Sequence, residues 1–191
     1  MLNISEIVAK TETMFDMFNA HFYDGELARP AITVSPDGGR GAYGWCTVYE
    51  IWQADGQAYR EINICAEYIN RPISEVAGTM LHEMAHLYNL NHGIKDVSNN
   101  GYYHNKKFKA EAEKRDLIIS YDNRIGWSVP EPGEGLLDFI LEQGWTDIRM
   151  GRQEGIRLGV AGGPKAKGGE GEDGEEPKKK SSTRKYICPC C

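Results

Sequence analysis

Residues 71–93 read RPISEVAGTMLHEMAHLYNLNHG, with His82-Glu83-Met84-Ala85-His86 near the middle. Val76, Met80, Leu81, Leu87 and Leu90 recur at steps that place them on the apolar flanks of one helix. Pro72 suits a first-turn position and Gly93 suits the residue just past a C-cap, so the spacing predicts a helix over Ile73–Asn91. At about 100° per residue, positions four apart lie about 40° round the axis. His82 and His86 therefore leave the same face, one turn apart.

Two neutral imidazoles so placed can reach one Zn²⁺, at about 2.0–2.1 Å each. Glu83 stands one step round, close enough to meet water at such an ion without ligating it. Its carboxylate is suited to take a proton from that water and pass it to a leaving amine. A five-residue pattern with three fixed positions also arises by chance. The long helix with apolar flanks is the context the chemistry requires.

A catalytic zinc with two histidines and water lacks one protein ligand, and the chain offers three kinds of candidate. His92 would complete H-E-x-x-H-x-x-G-x-x-H, but Asn89 stands where that motif has Gly. If the helix runs on to Gly93, His92 lies about 240° round from His86 and faces away. His104 stands at the foot of a second predicted helix, Asn105 to Asp116, in which Phe108 and Ala112 point inward. Glu111 or Glu113 would make the carboxylate variant, among what read as surface charges. His21 is expected to be plain surface.

Upstream, Ile4, Ile7, Val8, Phe15, Phe18 and Phe22 define a leading helix from about Ser5 to His21. Ala31–Val34 reads as a strand, followed by strands from Tyr43 to Gln53 and from Tyr59 to Glu67. Asp55-Gly56 between the last two is a type I′ hairpin signal. That turn sets Tyr49 opposite Ile62, Thr47 opposite Ile64 and Cys46 opposite Cys65, with both cysteines expected as free thiols. Downstream, Ile118-Ile119 and Gly126-Trp127 suggest a short extended return, and Leu136 to Gln143 a small helix. The order helix, small sheet, two helices makes an α+β chain.

The whole chain bounds these readings. Its 191 residues, 40% hydrophobic and 26% charged, suit one soluble domain with spare length. No run of eighteen apolar residues is present, and MLNISEIVAK lacks a basic start with an apolar core, so a cytoplasmic, non-membrane protein is expected. Gly163–Cys191 holds 7 Lys+Arg against 5 Asp+Glu, leaving 15 against 23 before it. An acidic body is a poor nonspecific partner for phosphate backbones, so any nucleic-acid contact falls to the tail's KKKSSTRK. Residues 161–185, rich in Gly, Lys and Glu, are expected to be a disordered linker. Five cysteines, three in the last four positions, do not make a secreted disulfide framework.

HEMAHLYNLNHGIKDVSNNGYYHNKKFKAEAEKRDL, residues 82–117, resembles the SprT-like (Spartan-like) zinc metalloprotease domain family. Those domains pair an H-E-x-x-H helix with a third histidine that follows a variable loop and precedes a helix with an inward Phe. The resemblance covers about the first two-thirds of the chain. It implies a minimal zincin-type fold over residues 1–160 and Zn²⁺ on His82, His86 and His104, with Glu83 catalytic and Phe108 inward. His104 is thereby favoured over His92. The implied activity is a zinc endopeptidase acting on a protein or peptide, and better-known members degrade proteins crosslinked to DNA.

Oxyanion stabilisation would fall to Tyr102, Tyr103 or Tyr121, and a substrate strand would add to a sheet edge near Trp45. Many relatives also end in a zinc ribbon opened by an aromatic and C-P-x-C. Residues 186–191, with Cys188-Pro189-Cys190-Cys191, supply the first half of one, and a structural zinc needs four ligands. The rival class is a noncatalytic zinc-binding scaffold, against which the intact Glu83 speaks.

Overall fold

A computed structural model describes residues 2–38 and 41–153. The linker at 161–185 and the half-knuckle at 186–191 lie outside the described residues.

The leading helix α1 spans Ile4–Phe22, opened by a capping box in which Asn3 and Glu6 exchange hydrogen bonds. Its inward stripe is Ile7, Met14, Phe15 and Phe18, whereas Ile4 at the first turn is exposed. Strand β1 (Ala31–Ser35) follows and pairs in parallel with β5 (Glu61–Cys65), setting Ile32 beside Ile62. Strand β2 (Gly44–Cys46) lies antiparallel on the other side of β5.

The Asp55-Gly56 turn forms as expected, with φ of 53° and 77°. It joins β3 (Trp52–Ala54) to β4 (Gln57–Tyr59), with Trp52 opposite Tyr59. The expected register fails beyond that hairpin. Cys46 faces Ile62, not Cys65, and Gly44 faces Ile64. Thr47 causes the slip: its hydroxyl accepts from the Glu61 amide at 2.8 Å and donates to the Tyr49 carbonyl at 2.9 Å. A side chain thus takes the place of ladder bonds and lets the chain between β2 and β3 bow outward. Glu61 then fastens the hairpin, accepting the Trp45 indole at 3.0 Å and the Trp52 indole at 2.6 Å. Cys46 and Cys65 are buried free thiols.

Helix α2 runs Ile73–Asn91, with Pro72 at its N-cap. Pro72 offers no side-chain cap, and Asp147, far along the chain, accepts from the Ile73 amide at 2.8 Å instead. At the other end Ile94 N–H bonds the Asn89 carbonyl and Gly93 N–H bonds the Leu90 carbonyl, with Gly93 at φ 65°. That is a Schellman termination.

The loop beyond is short ladder, not plain coil. Strand β6 (Val97–Ser98) turns through a 3₁₀ segment, Asn99–Gly101, into β7 (Tyr103–His104), and Val97 pairs with His104. Asn105 caps α3 (Lys106–Lys114) by accepting from Lys107 and Phe108 amides. Strands β8 (Leu117–Asp122) and β9 (Gly126–Pro132) form a hairpin, and the sheet order is β6-β7-β9-β8. Helix α4 (Glu134–Glu142) closes the described chain's set of helices.

The result is an α+β fold, four helices with small and mostly antiparallel sheets. One apolar core joins Phe15 and Phe18 of α1, Ile62 and Ile64 of β5, Met80, Leu81 and Met84 of α2, and Phe108 of α3. Burying each of these large side chains contributes about 1.5–3 kcal/mol, which keeps α2 fixed along its length. Among the described residues, no helix is long and apolar enough to cross a membrane.

Candidate metal centre

His82 and His86 leave α2 on one face and are fully buried, and β7 brings a third buried histidine, His104, against them. Their Nε2 atoms form a triangle: His82 to His104 3.3 Å, His82 to His86 3.2 Å, His86 to His104 3.0 Å. Tetrahedral zinc with bonds of about 2.0–2.1 Å sets its nitrogens about 3.3–3.4 Å apart, so the triangle has the right scale. These three residues form the group of potential metal ligands found among the described residues.

The other ring nitrogens decide what the triangle can hold. His86 Nδ1 lies 2.7 Å from Asp96 Oδ2, and Asn89 Nδ2 donates to the same oxygen at 3.0 Å. His104 Nδ1 lies 3.3 Å from the Ile125 carbonyl oxygen. Both partners are acceptors, so the network assigns the proton to Nδ1 in each ring and leaves the lone pair on Nε2. With both rings neutral, two lone pairs face each other across 3.0 Å. A cation relieves that repulsion. The donor set, three imidazoles of which two have outer acceptors, is the kind that divalent zinc takes.

Protonation follows the same environment. Burial, and then the charge on His86, push His104 down to about 3. Burial, with His86 and His104 beside it, likewise holds His82 well below its usual value. Burial also depresses His86, but the Asp96 charge and hydrogen bond outweigh it and the net shift is upward. Near neutral pH two of the three rings are thus open to a metal without proton release.

Phe108 forms the floor. Its ring centroid sits 4.4 Å from that of His82, 4.5 Å from His86 and 4.6 Å from His104. Glu83 is fully buried on α2, with the Cys46 backbone N–H against its carboxylate. Burial raises it to about 7, against the lowering effects of the His86 charge and the Cys46 backbone N–H. A carboxyl near 7 both accepts and returns a proton at neutral pH.

The remaining candidates lie elsewhere. His92 is the exposed C-cap of α2, its Nδ1 2.8 Å from the Tyr88 carbonyl and its ring stacked on Tyr88. The helix passes through Asn89 unbroken, so the longer histidine motif has no bend to use. Glu111 is not a surface charge: it is buried and ion-paired with Arg115 at 2.6 Å, away from the three histidines. Glu113 pairs with Lys109 at the surface. His21 is exposed, as expected. Tyr103 and Tyr121 share a hydroxyl hydrogen bond at 2.9 Å, and Tyr102 is exposed. Strand β2 lies at the edge of its three-stranded sheet, and Trp45 on it is buried with its indole on Glu61.

Asp96 escaped the sequence reading. The one available signal was an acidic residue in the polar loop between the two helices. Its role depends on how β6 folds that loop back, with Asn105 N–H on the Asp96 carbonyl at 2.9 Å.

The model of the SprT-like family matches residues 11–119. The chain belongs to the SprT-like family. The match runs from α1 into β8 and takes in the three histidines, Glu83, Asp96 and Phe108. SprT-like domains are associated with metallopeptidases, and this one carries three buried histidines that could hold a metal ion. No curated protein and no solved structure matches the chain.

Proposed function

We propose that this SprT-like chain is a zinc-dependent endopeptidase, with His82, His86 and His104 as the metal ligands and Glu83 as the catalytic acid–base. The observation that carries the proposal is the convergence of three Nε2 atoms at 3.0–3.3 Å, two of them with their tautomers set by outer acceptors. Bound zinc supplies Lewis acidity, polarising a scissile carbonyl and acidifying water.

The protein's own residues do the rest. Asp96 holds the proton on His86 Nδ1, and the Ile125 carbonyl holds it on His104 Nδ1, so each ring keeps its Nε2 lone pair directed inward. Phe108 excludes water from beneath the three rings. Glu83, buried and raised to about 7, takes a proton at its carboxylate and delivers it to the leaving amine. A scaffold that held metal for stability alone would have no use for a buried carboxylate in that state, because leaving it ionised costs folding energy. Proteins are the substrate class, DNA-associated ones being those the family resemblance implies.

The test separates metal binding from turnover. Glu83→Gln should keep stoichiometric zinc and lose cleavage of casein or of the chain itself, with or without single-stranded DNA. His104→Ala should lose zinc. Stoichiometric zinc with no turnover by the unaltered protein under any condition would favour the scaffold. Loss of zinc on His92→Ala, but not on His104→Ala, would overturn the ligand set.

A further inference from the structure

We propose that Ile125 and Gly126, at the entry to β9, are positioning residues that fix the backbone and ring of His104 for metal binding. The inference rests on the metal-centre reading above and extends it to residues beyond the stretch that the family model matches.

Residue 104 reaches the site from a strand only two residues long, so β7 alone cannot hold a ligand to within a fraction of an ångström. Beyond the β6 pairing at Val97, the hold comes from one carbonyl. Ile125 O accepts the His104 main-chain N–H at 2.9 Å and faces His104 Nδ1 at 3.3 Å. A single acceptor therefore sets both where residue 104 sits and how its ring is turned. It also selects the tautomer, since a carbonyl oxygen can only accept.

Gly126 is what lets that carbonyl come so close. It pairs with His104 across the parallel β7–β9 bridge and has φ +75°. A Cβ built there would collide with the His104 carbonyl oxygen, and would lie 3.1 Å from its carbonyl carbon and 3.0 Å from a Tyr103 ring carbon. The obstacle is backbone, which has no rotamer to escape into. Any larger residue must push His104 away from α2 or tear β9 off β7. Gly56 makes a control with the same strain and no such neighbour: its φ is +77°, and a Cβ there meets nothing within 4 Å.

Zinc affinity of the full-length chain is measured by competition with a chromophoric chelator for the unaltered protein, Gly126→Ala and Gly56→Ala, alongside melting of the metal-free forms. Both variants should lose stability from the left-handed backbone. Gly126→Ala alone should weaken zinc, by about 10–100-fold on the scale of lost outer-shell support. It alone should also change the ligand-field spectrum of the cobalt-substituted protein. Zinc affinity of Gly126→Ala equal to that of Gly56→Ala would overturn the proposal.

Should Gly126→Ala fail to fold, nitrogen NMR of the histidine rings in the metal-free, unaltered protein is decisive. The proton of His104 is expected on Nδ1, and finding it on Nε2 would overturn the proposal. Absence of zinc binding by the unaltered protein would overturn the metal-centre reading, and this inference with it.

Discussion

Asp96 is the residue whose replacement reports most finely on the metal centre, because it touches one histidine and is placed to touch no ion. Its Oδ2 takes two hydrogen bonds, from His86 Nδ1 at 2.7 Å and Asn89 Nδ2 at 3.0 Å. In Asp96→Asn the amide oxygen still accepts from His86, but a charge-assisted bond of about 1.5–3 kcal/mol becomes a neutral one of about 0.5–1.5 kcal/mol. The midpoint difference, about 1.2 kcal/mol, is roughly an eightfold loss of zinc affinity. Asp96→Ala removes the acceptor, frees the His86 ring and strands the Asn89 amide, so its loss should approach 100-fold, the upper end for outer-shell partners.

The metal-free protein gives a second readout with its own sign. Burial alone would raise the Asp96 carboxyl, but His86 outweighs it and the net shift is downward, while the Asp96 charge and hydrogen bond carry His86 above its usual 6.5 against its own burial. The Asp96 contribution is present above its unfolded value near 3.8 and lost as pH falls through its folded value. The His86 contribution is present below about 6.5 and lost as pH rises through its own. Asp96→Asn should therefore cost the metal-free protein more at pH 5.5 than at pH 8.5. Chelator competition at pH 7.5 and melting at the two pH values make the measurement. Zinc affinity unchanged in both variants would refute the argument that Asp96 orients His86.

Three further outcomes follow from the same geometry. Phe108→Ala removes the floor under all three imidazoles and should cost about 3–5 kcal/mol of stability, seen in denaturant melts, together with zinc affinity. Gly44→Ala puts a Cβ 2.8 Å from the Asn63 carbonyl oxygen and 3.3 Å from Glu83 Oε1. It should leave zinc affinity near that of the unaltered protein and lower peptide turnover about 10–100-fold, by displacing the base and not the ligands. Because His82 and His104 are held neutral and His86 is raised, zinc affinity should climb between pH 5 and 7 with a slope near one proton, and a slope of three would contradict the assignment.

The helix that carries His82 and His86 was readable: apolar periodicity, Pro72 and Gly93 set α2 at about Ile73–Asn91, the bounds found, with Pro72 taking the N-cap instead of the first turn. Local chemistry decides such an element, and local chemistry is what a sequence displays. The Asp55-Gly56 turn was legible for the same reason. The register of β2 was not. A hairpin rule extends the ladder indefinitely, whereas Thr47 substitutes its hydroxyl for ladder bonds and shifts the partner of Cys46 to Ile62.

The site divides along the same line. His82, Glu83 and His86 announce themselves through spacing on one helix, and His104, one of three kinds of candidate, was favoured only by the resemblance to the SprT-like family. Asp96 and Gly126 act through folded-back loops and a parallel bridge between distant segments, which leave no periodic trace. Glu111 looked like one more surface charge because its partner, Arg115, is itself placed by contacts with Tyr23 and the Phe22 carbonyl of α1.

The central claim, three histidines on one zinc, is tested most directly by zinc stoichiometry and X-ray absorption on the purified full-length chain, with His104→Ala and His92→Ala beside it. The account predicts a site with three imidazole nitrogens at about 2.0–2.1 Å, retained in His92→Ala and lost in His104→Ala. Absence of zinc at that site, or an imidazole shell that survives His104→Ala intact, would contradict it.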